Sequence, residues 1–232
     1  MQTSNLRTAV CETCKKDFSF EPIIISGKEY FSERRNCEPC VDAYNAAAID
    51  PSRLNTERRA HFRATLPKAF RDTDRSRLPD VLIQAVEDYR YVSQGLAFIG
   101  KSGAGKTRAM LLLLERLAEQ GKSVSWITST DLAYQAADQF SNDPQEKHEA
   151  KDKLKTLRTA SVAFIDDLGK GRLTDRLESE LFDILDIRTR EARPTLWTSN
   201  SSGRDLFSMF SPDRAEALMR RIGKDFTKVI SL

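Results

Sequence analysis

The sequence has no run of about 18 consecutive apolar residues, which argues against a membrane-spanning helix. Residues 1–10 are polar and lack the apolar centre of a secretory signal, so we expect a cytoplasmic protein without structural disulfides. The net charge of only +3 does not by itself indicate nucleic-acid binding. Internal repeats and low-complexity segments are also missing. The 232 residues, 40% hydrophobic and 31% charged, are typical of a globular protein with one full domain and a small module.

Composition divides the chain into three zones. Residues 1–50 hold all four cysteines. Residues 51–79 contain eight Lys/Arg and three Asp/Glu, a local net charge of +5, and are punctuated by Pro51, Pro67 and Pro79. This pattern predicts a basic linker or arm. Residues 80–232 alternate short apolar runs with longer helical patterns, which predicts the main domain.

The alternation in residues 80–232 is typical of an α/β domain. Strands are predicted at 96–99, 124–128, 162–165, 195–198 and 228–232, and helices at 107–120, 132–140, 146–158, 176–190 and 215–221. Ser129, Thr130 and Asp131 are possible N-caps of the second of these helices. Because the strands are continuous apolar runs, we expect a parallel sheet buried on both faces and flanked by helices.

Residues 100–107 match the pattern G-x-x-x-x-G-K-S/T at Gly100, Gly105, Lys106 and Thr107. Glycines let successive backbone N–H groups turn toward an anion, and the following helix presents its positive end to phosphate. A strand before the loop and a helix after it are the context that this motif requires. The pattern predicts binding of ATP with Mg²⁺: Lys106 would reach the β- and γ-phosphates, and Thr107 would bind Mg²⁺. The other predicted cofactor contacts are Ser102, Gly103, Ala104 and Arg108.

Two later strands end in polar residues. The strand at 162–165 runs into Asp166 and Asp167, and the strand at 195–198 is followed by Ser199 and Asn200. Ligands of open α/β sheets bind at this carboxyl edge. We expect Asp166 to hold Mg²⁺, Asp167 to polarise the attacking water and Asn200 to orient that water near the γ-phosphate.

In this order, residues 100–107, 164–169 and 193–200 resemble the AAA+ ATPases of the DnaC/IstB type, and the approach segment 66–71 is similar too. The resemblance covers roughly residues 66–232. It implies an AAA+ fold, ATP hydrolysis, and self-association into a ring or spiral with active sites at subunit interfaces. Members of that family either load the replicative DNA helicase or assist a transposase.

The resemblance also implies an arginine finger, an arginine that enters the neighbouring subunit's site. The matching segment is 218–222, in which Arg221 is the first candidate and Arg220 the second. Arg188 and Arg190, late in a predicted helix, are further residues that could face a neighbour. No segment follows the last predicted strand, so we expect a domain without the C-terminal helical lid of many AAA+ proteins.

The cysteines form two pairs, Cys11-x-x-Cys14 and Cys37-x-x-Cys40, with 22 residues between them. Four thiolates at this spacing predict a tetrahedral zinc site; a disulfide framework and redox activity are the alternatives. His61 and His148 are expected at the surface, because four cysteines already complete the site. The nearly balanced charges of residues 1–50 favour contact with a protein over DNA. The basic arm could follow a phosphate backbone or be an ordinary solvated linker.

Two hypotheses fit the ATPase motifs equally well. A helicase loader would dock on the replicative DNA helicase through its zinc module and hold single-stranded DNA, with Tyr134, Phe140, Lys170 and Arg172 as candidate contacts. A transposition ATPase would act on double-stranded DNA with a transposase. The zinc module favours the loader, since it resembles the N-terminal modules of phage and prophage DnaC-like proteins. A small-molecule P-loop kinase and a binding protein with a vestigial ATPase are weaker alternatives.

Overall fold

The computed structural model describes residues 6–25, 28–30, 35–48, 51–170, 173–223 and 226–232. The chain divides into two compact units, Met1–Leu54 and Asn55–Leu232. In the described part of the chain, no helix is both long enough and apolar enough to span a membrane.

The N-terminal unit is built from short strands and one helix. Strand β1 (Arg7–Val10) pairs antiparallel with β2 (Asp17–Phe20), and β3 (Ile23–Ile25) pairs antiparallel with β4 (Lys28–Tyr30). Cys11 follows β1 directly, and Cys37 directly precedes helix α1 (Glu38–Ala48). The first strand end and the start of the helix therefore each carry one pair of cysteines.

The second unit is a parallel α/β domain. After α2 (Pro51–Thr65), which begins before the boundary, the elements are α3 (Lys68–Arg71), a 3₁₀ turn (Arg75–Arg77), α4 (Asp80–Asp88), β5 (Gly95–Ile99), α5 (Lys106–Glu119), β6 (Val124–Thr128), α6 (Ser129–Asp138), α7 (Pro144–Thr159), β7 (Val162–Asp166), α8 (Asp175–Arg190), β8 (Thr195–Ser199), α9 (Gly203–Met209), α10 (Pro212–Ile222) and β9 (Thr227–Ser231). The sheet has the strand order β6-β7-β8-β5-β9, and every pair is parallel.

Both faces of the sheet are buried, which confirms the prediction from the continuous apolar strands. Successive side chains point to opposite faces, so Phe98 and Ala97 of β5 belong to two different cores. Phe98 packs in a core with residues of α4 and α5, and Ala97 in a core with residues of α6, α7, α8 and α10. The result is a three-layer domain whose loops at the carboxyl edge of the sheet are available for a site.

The predicted strands and helices of this domain are confirmed with small shifts at their ends. Asp143 caps α7 by accepting N–H bonds from Gln145 and Glu146, and Pro144 occupies the first turn, where no hydrogen bond is lost. The predicted N-caps of α6 were wrong. Thr128, the last residue of β6, is the cap, and its hydroxyl accepts the N–H of Asp131 at 3.0 Å.

The segment predicted as a linker or arm differs from the structure. The unit boundary lies between Leu54 and Asn55, and the residues after it are folded against the ATPase core. Phe62 of α2, Leu66 and Leu78 are buried in the same core as α4 and α5. Burying a large apolar side chain contributes about 1.5–3 kcal/mol, so this segment is an integral part of the second unit.

Three arginines of this segment have acidic partners within the unit. Arg59 and Arg63 both contact the carboxylate of Glu115 on α5, at 2.5 and 2.9 Å. Arg75 forms an ion pair with Glu87 of α4 at 2.5 Å. These contacts offset part of the local excess of positive charge.

Candidate nucleotide-binding site

The loop between β5 and α5 has the backbone of an anion-binding turn. Gly103 and Gly105 have positive φ angles of 81° and 86°, in the region that only glycine adopts readily. A Cβ at position 105 would also lie 2.7 Å from Cδ2 of Leu78, so the loop touches the segment before α4. Both the turn and this close approach require glycine at position 105.

Lys106, the first residue of α5, is only 5% exposed and extends along the loop. Its Nζ donates hydrogen bonds to the carbonyl oxygens of Gly100 and Lys101, both at 2.9 Å, and to Oδ1 of Asn200 at 2.8 Å. Burial lowers the pKa of Lys106, and the nearby charges of Asp167 and Asp166 oppose this shift. A buried ammonium with only neutral direct partners is well placed to gain from an anionic ligand.

Thr107 and Asp166 lie side by side, as the sequence predicted. The Thr107 hydroxyl donates to Oδ1 of Asp166 at 2.8 Å, and the hydroxyl of Thr198 donates to the same oxygen at 2.5 Å. Burial raises the pKa of Asp166, and these two hydroxyls act against that shift. A hydroxyl and a carboxylate in contact are the hard oxygen ligands that Mg²⁺ prefers, so this pair fits the ion.

Asp167 lies beside Asp166 but is turned toward the pocket. Its backbone has a left-handed φ of 55°, and its N–H donates to the Thr198 hydroxyl at 2.9 Å. Its carboxylate oxygens accept from Nδ2 of Asn200 at 3.3 Å and from Nζ of Lys170 at 3.1 Å. The turn therefore directs the two carboxylates differently. That of Asp166 contacts Thr107 at the start of α5, and that of Asp167 lines the pocket.

One pocket of about 430 Å³ collects most of the predicted residues. It is lined by residues 102–108 of the loop and α5, by Asp167 and Asn200, and on the other side by Phe70, Asp72, Asp74, Arg77 and Leu78. The guanidinium of Arg108 lies over the ring of Phe70, 5.4 Å from its centroid. The loop, the acidic strand end and Asn200 thus meet in one place, and Gly100 contributes its carbonyl.

Sequence reasoning missed two parts of this site. Thr198 bridges Asp166 and Asp167 through its hydroxyl. The available signal was a polar residue near the carboxyl end of a predicted strand, the edge at which ligands bind. The far wall of the pocket comes from the segment around Phe70 and Leu78, which was interpreted as part of an arm. The similarity of residues 66–71 to the family's approach segment was the available hint.

Arg221, the first candidate for an arginine finger, is not part of this pocket. It borders a separate cavity with Thr195 and Thr227, the first residues of β8 and β9, at the opposite edge of the sheet. Its guanidinium pairs with Asp186 of α8 at 2.5 Å and lies 4.5 Å from the ring centroid of Phe182. Arg221 is therefore remote from the loop of its own chain and is held by α8.

Arg188, in contrast, cannot face a neighbouring subunit, and that expectation was wrong. The side chain is completely buried. It donates to the carbonyl oxygens of Leu157 and Ala160 at 2.8 Å, and of Pro194 at 2.6 Å. Because these carbonyls end α7 and precede β8, Arg188 joins elements inside the domain. Arg190 is 69% exposed and pairs with Asp186 at 3.1 Å.

The four cysteines form a compact cluster in the N-terminal unit. The sulfur atoms of Cys11, Cys14, Cys37 and Cys40 all lie within 4.8 Å of one another, and those of Cys14 and Cys37 are 3.7 Å apart. Tetrahedral zinc with bonds of about 2.3 Å places its sulfurs about 3.8 Å apart, whereas a disulfide needs about 2.05 Å. The cluster is therefore consistent with a zinc module.

The protonation of these thiols also fits a cation. The backbone N–H of Cys14 lowers the pKa of Cys11 to about 6, whereas the thiol of Cys37 raises the pKa of Cys40 to about 12. Ionisation of Cys11 is thus favoured, whereas ionisation of Cys40 is disfavoured until a cation offsets the repulsion between the thiolates. A divalent metal would supply that charge.

Several proteins of known structure have a fold similar to that of this chain. DnaI is 20% identical, with a TM-score of 0.58, and the match covers 72% of this chain and 94% of DnaI. The DnaC helicase loader is 20% identical, with a TM-score of 0.52, over 66% of this chain and 86% of DnaC. DnaA bound to AMPPCP and single-stranded DNA is 14% identical, with a TM-score of 0.52, over 66% of this chain but only 44% of DnaA. No curated protein matches the sequence significantly.

At the level of sequence families, residues 55–230 match the model of the IstB-like ATP binding proteins. The match begins in α2 and ends in β9, so it spans nearly the whole second unit and well over half of the chain. The chain therefore belongs to the IstB-like ATP-binding proteins and is an AAA+ ATPase of the DnaC/IstB type.

Proposed function

We propose that this ATPase loads the replicative DNA helicase during the initiation of DNA replication. The observation that carries the proposal is the combination of a complete P-loop pocket with a separate four-cysteine unit, in a fold shared with the DnaC helicase loader and DnaI. The ATPase unit would assemble on single-stranded DNA, and the N-terminal unit would contact the helicase.

In the ATPase cycle, the loop amides and Lys106 would bind the phosphates of ATP. Thr107 and Asp166 would hold Mg²⁺, an ion that neutralises phosphate charge when it is bound. Asp167 would polarise the attacking water, and Asn200 would orient that water near the γ-phosphate. Lys106→Ala is expected to reduce turnover to background in a phosphate-release assay, whereas unchanged turnover would contradict this assignment.

The site is completed by a neighbouring subunit in this proposal. Segment 218–222 supplies the arginine finger in this proposal. Arg221 must leave Asp186 to serve in this role. The second candidate, Arg220, is exposed. Arg220→Ala and Arg221→Ala are therefore compared for turnover and for ATP affinity. The finger variant should bind ATP normally and hydrolyse it slowly, and mixing it with Asp167→Ala should restore part of the activity.

The surface around α6 is the proposed contact with single-stranded DNA. Tyr134 is 61% exposed and Phe140 is 62% exposed, and the guanidinium of Arg176 lies 4.9 Å from the ring centroid of Phe140. Exposed aromatic rings beside cations stack on bases and attract the backbone. Of the other candidates, Lys170 is described above and Arg172 lies outside the described residues.

DNA binding is tested by fluorescence anisotropy with a labelled oligothymidylate of about 30 nucleotides, long enough for several subunits. Each of Tyr134→Ala and Phe140→Ala should weaken binding roughly tenfold, because stacking on one base contributes about 1–3 kcal/mol. Tyr44→Ala, which removes an exposed tyrosine of α1 in the N-terminal unit, is the control and should bind normally, because the DNA contact is assigned to the ATPase unit. Equal binding by all variants would remove this surface from the proposal.

Helicase binding is tested with the full-length protein as bait and the purified replicative helicase of the same organism. We expect capture by the wild type and by Lys106→Ala, since the contact is assigned to the N-terminal unit. Cys37→Ser with Cys40→Ser should abolish capture and leave ATP binding intact. Failure of the wild type to capture the helicase would contradict the proposal.

The alternative is a transposition ATPase that acts on double-stranded DNA with a transposase. The family match to IstB-like proteins favours it specifically. Capture of a transposase but not of the helicase, together with a preference for duplex over single strands, would decide for this alternative. Membership in an AAA+ ATPase family disfavours the small-molecule kinase.

A further inference from the structure

The turn after β7 brings Lys170 to the carboxylate of Asp167. The N–H of Lys170 donates to the carbonyl oxygen of Asp167 at 2.9 Å, which closes a four-residue turn. Across this turn, Nζ of Lys170 lies 3.1 Å from Oδ2 of Asp167. The backbone geometry of the turn therefore holds the two side chains of this ion pair close together.

The turn is anchored on both sides. The N–H of Leu168 donates to the carbonyl oxygen of Thr198 at 2.7 Å, and the Ser199 hydroxyl donates to the carbonyl oxygen of Leu168 at 2.7 Å. A Cβ on Gly169 would lie 2.7 Å from Cδ1 of Leu206 in α9, so the turn also packs closely on that helix. Lys170 is therefore carried by a fixed support directly beside Asp167.

Both oxygens of the Asp167 carboxylate have partners in this arrangement. Oδ1 accepts from Asn200 at 3.3 Å, and Oδ2 accepts from the ammonium of Lys170. A carboxylate that must polarise water needs an oxygen that water can approach in the correct direction. The ammonium competes with water for Oδ2, so this contact restrains Asp167.

We propose that Lys170 is a positioning residue that restrains Asp167. When a phosphate of single-stranded DNA binds the ammonium of Lys170, Asp167 is released. This inference rests on the proposed function, because it uses Asp167 as the water-polarising group and single-stranded DNA as the partner. It adds a specific link by which DNA accelerates ATP hydrolysis.

The exposure of Lys170 makes such an exchange feasible. Its side chain is 65% exposed, whereas that of Asp167 is 26% exposed, so a polyanion reaches the lysine from solvent. Exposed ion pairs are weak and are screened by salt, and phosphates bind lysine with release of counterions. A strand of DNA therefore competes effectively for the ammonium.

The test measures ATP turnover of Lys170→Ala, Lys170→Arg and the wild type, with and without an oligothymidylate of about 30 nucleotides. Without DNA, Lys170→Ala should be about twofold to fivefold faster than the wild type, the range that one exposed ion pair supplies. DNA should raise the wild type toward this level and accelerate Lys170→Ala little further. Lys170→Arg, which keeps the charge, should retain the slow basal rate and the stimulation.

Salt provides a second readout that a merely structural lysine would not give. Between about 50 and about 500 mM NaCl, the ratio of the DNA-free rates of Lys170→Ala and wild type should fall toward one, because salt screens the pair. Lys228→Ala removes an exposed lysine of β9 and should behave like the wild type. If Lys170→Ala folds poorly, Lys170→Gln replaces it.

The outcomes separate this inference from the proposed function. A DNA-free rate of Lys170→Ala equal to that of the wild type, or equal stimulation of both by DNA, overturns the role of Lys170 and leaves the ATPase assignment intact. A simple loss of a DNA contact would reduce stimulation without raising the DNA-free rate. If the wild type neither hydrolyses ATP nor binds the oligonucleotide, the proposed function and this inference are both overturned.

Discussion

Thr198→Val tests whether one buried hydroxyl organises the two carboxylates of the site. The Thr198 hydroxyl donates to Asp166 at 2.5 Å and accepts the N–H of Asp167 at 2.9 Å, and the residue is completely buried. Valine has nearly the same shape but offers neither contact. The substitution therefore removes hydrogen bonding and leaves packing almost unchanged.

The expected loss of stability follows from these two bonds. A hydrogen bond to a charged group contributes about 1.5–3 kcal/mol, and a buried N–H left without a partner costs about 1–3 kcal/mol. Burying the additional methyl group returns about 0.8 kcal/mol. We expect Thr198→Val to lower the free energy of unfolding by about 3 kcal/mol, or the Tm of the second unit by roughly 6–12 °C.

Thr198→Ser is the matched control, because it keeps the hydroxyl and loses only a methyl group worth about 1 kcal/mol. Urea unfolding followed by circular dichroism measures both variants, and steady-state ATPase assays should show a kcat roughly tenfold to a hundredfold lower for the valine variant alone. Equal stability of the two variants, or normal turnover by Thr198→Val, would refute the bridging role.

Three further changes probe other parts of the chain. Because burial raises the pKa of Asp166, this group's contribution to stability is full below its ordinary pKa and is lost as pH rises through its raised pKa in the folded chain. Asp166→Asn should therefore raise the stability of the nucleotide-free domain at neutral pH in urea titrations, while turnover falls roughly a hundredfold or more; a less stable variant would contradict this sign. Arg188→Met removes the guanidinium that donates to three buried carbonyl groups and should cost about 3 kcal/mol by the same method, whereas an unchanged midpoint would show that they find other partners. Cys40→Ser should reduce the zinc content from one ion per chain, measured by elemental analysis, without shifting the thermal transition of the second unit; full zinc retention would exclude Cys40 as a ligand.

The sheet and the nucleotide pocket were largely predictable because their signals are local. The P-loop pattern requires a strand before it and a helix after it, and the acids at Asp166 and Asp167 end an apolar strand. Parallel strands bring their carboxyl ends to one edge, so the order of the motifs in the chain predicted their meeting in space. Asn200 was placed by the same argument.

Other features depend on tertiary contacts that no local pattern encodes. Arg188 has the position of an ordinary surface cation near a helix end, yet it is buried because three carbonyl groups converge on it. The arginines of α2 suggested a solvated arm, since Glu115, the partner of Arg59 and Arg63, lies more than fifty residues later. Thr128 was predicted only as the end of a strand. In the structure it ends β6 and also caps α6, so the strand pattern hid its second role.

The packing of residues 55–79 on the ATPase core has a practical consequence for dissecting the protein. A fragment that begins at residue 80 would lose Phe62, Leu66 and Leu78 from the core, together with the pocket wall around Phe70. Such a fragment would expose an apolar surface and tend to aggregate. Cutting between Leu54 and Asn55 instead retains the complete core and a whole pocket, so that is where the two units should be separated.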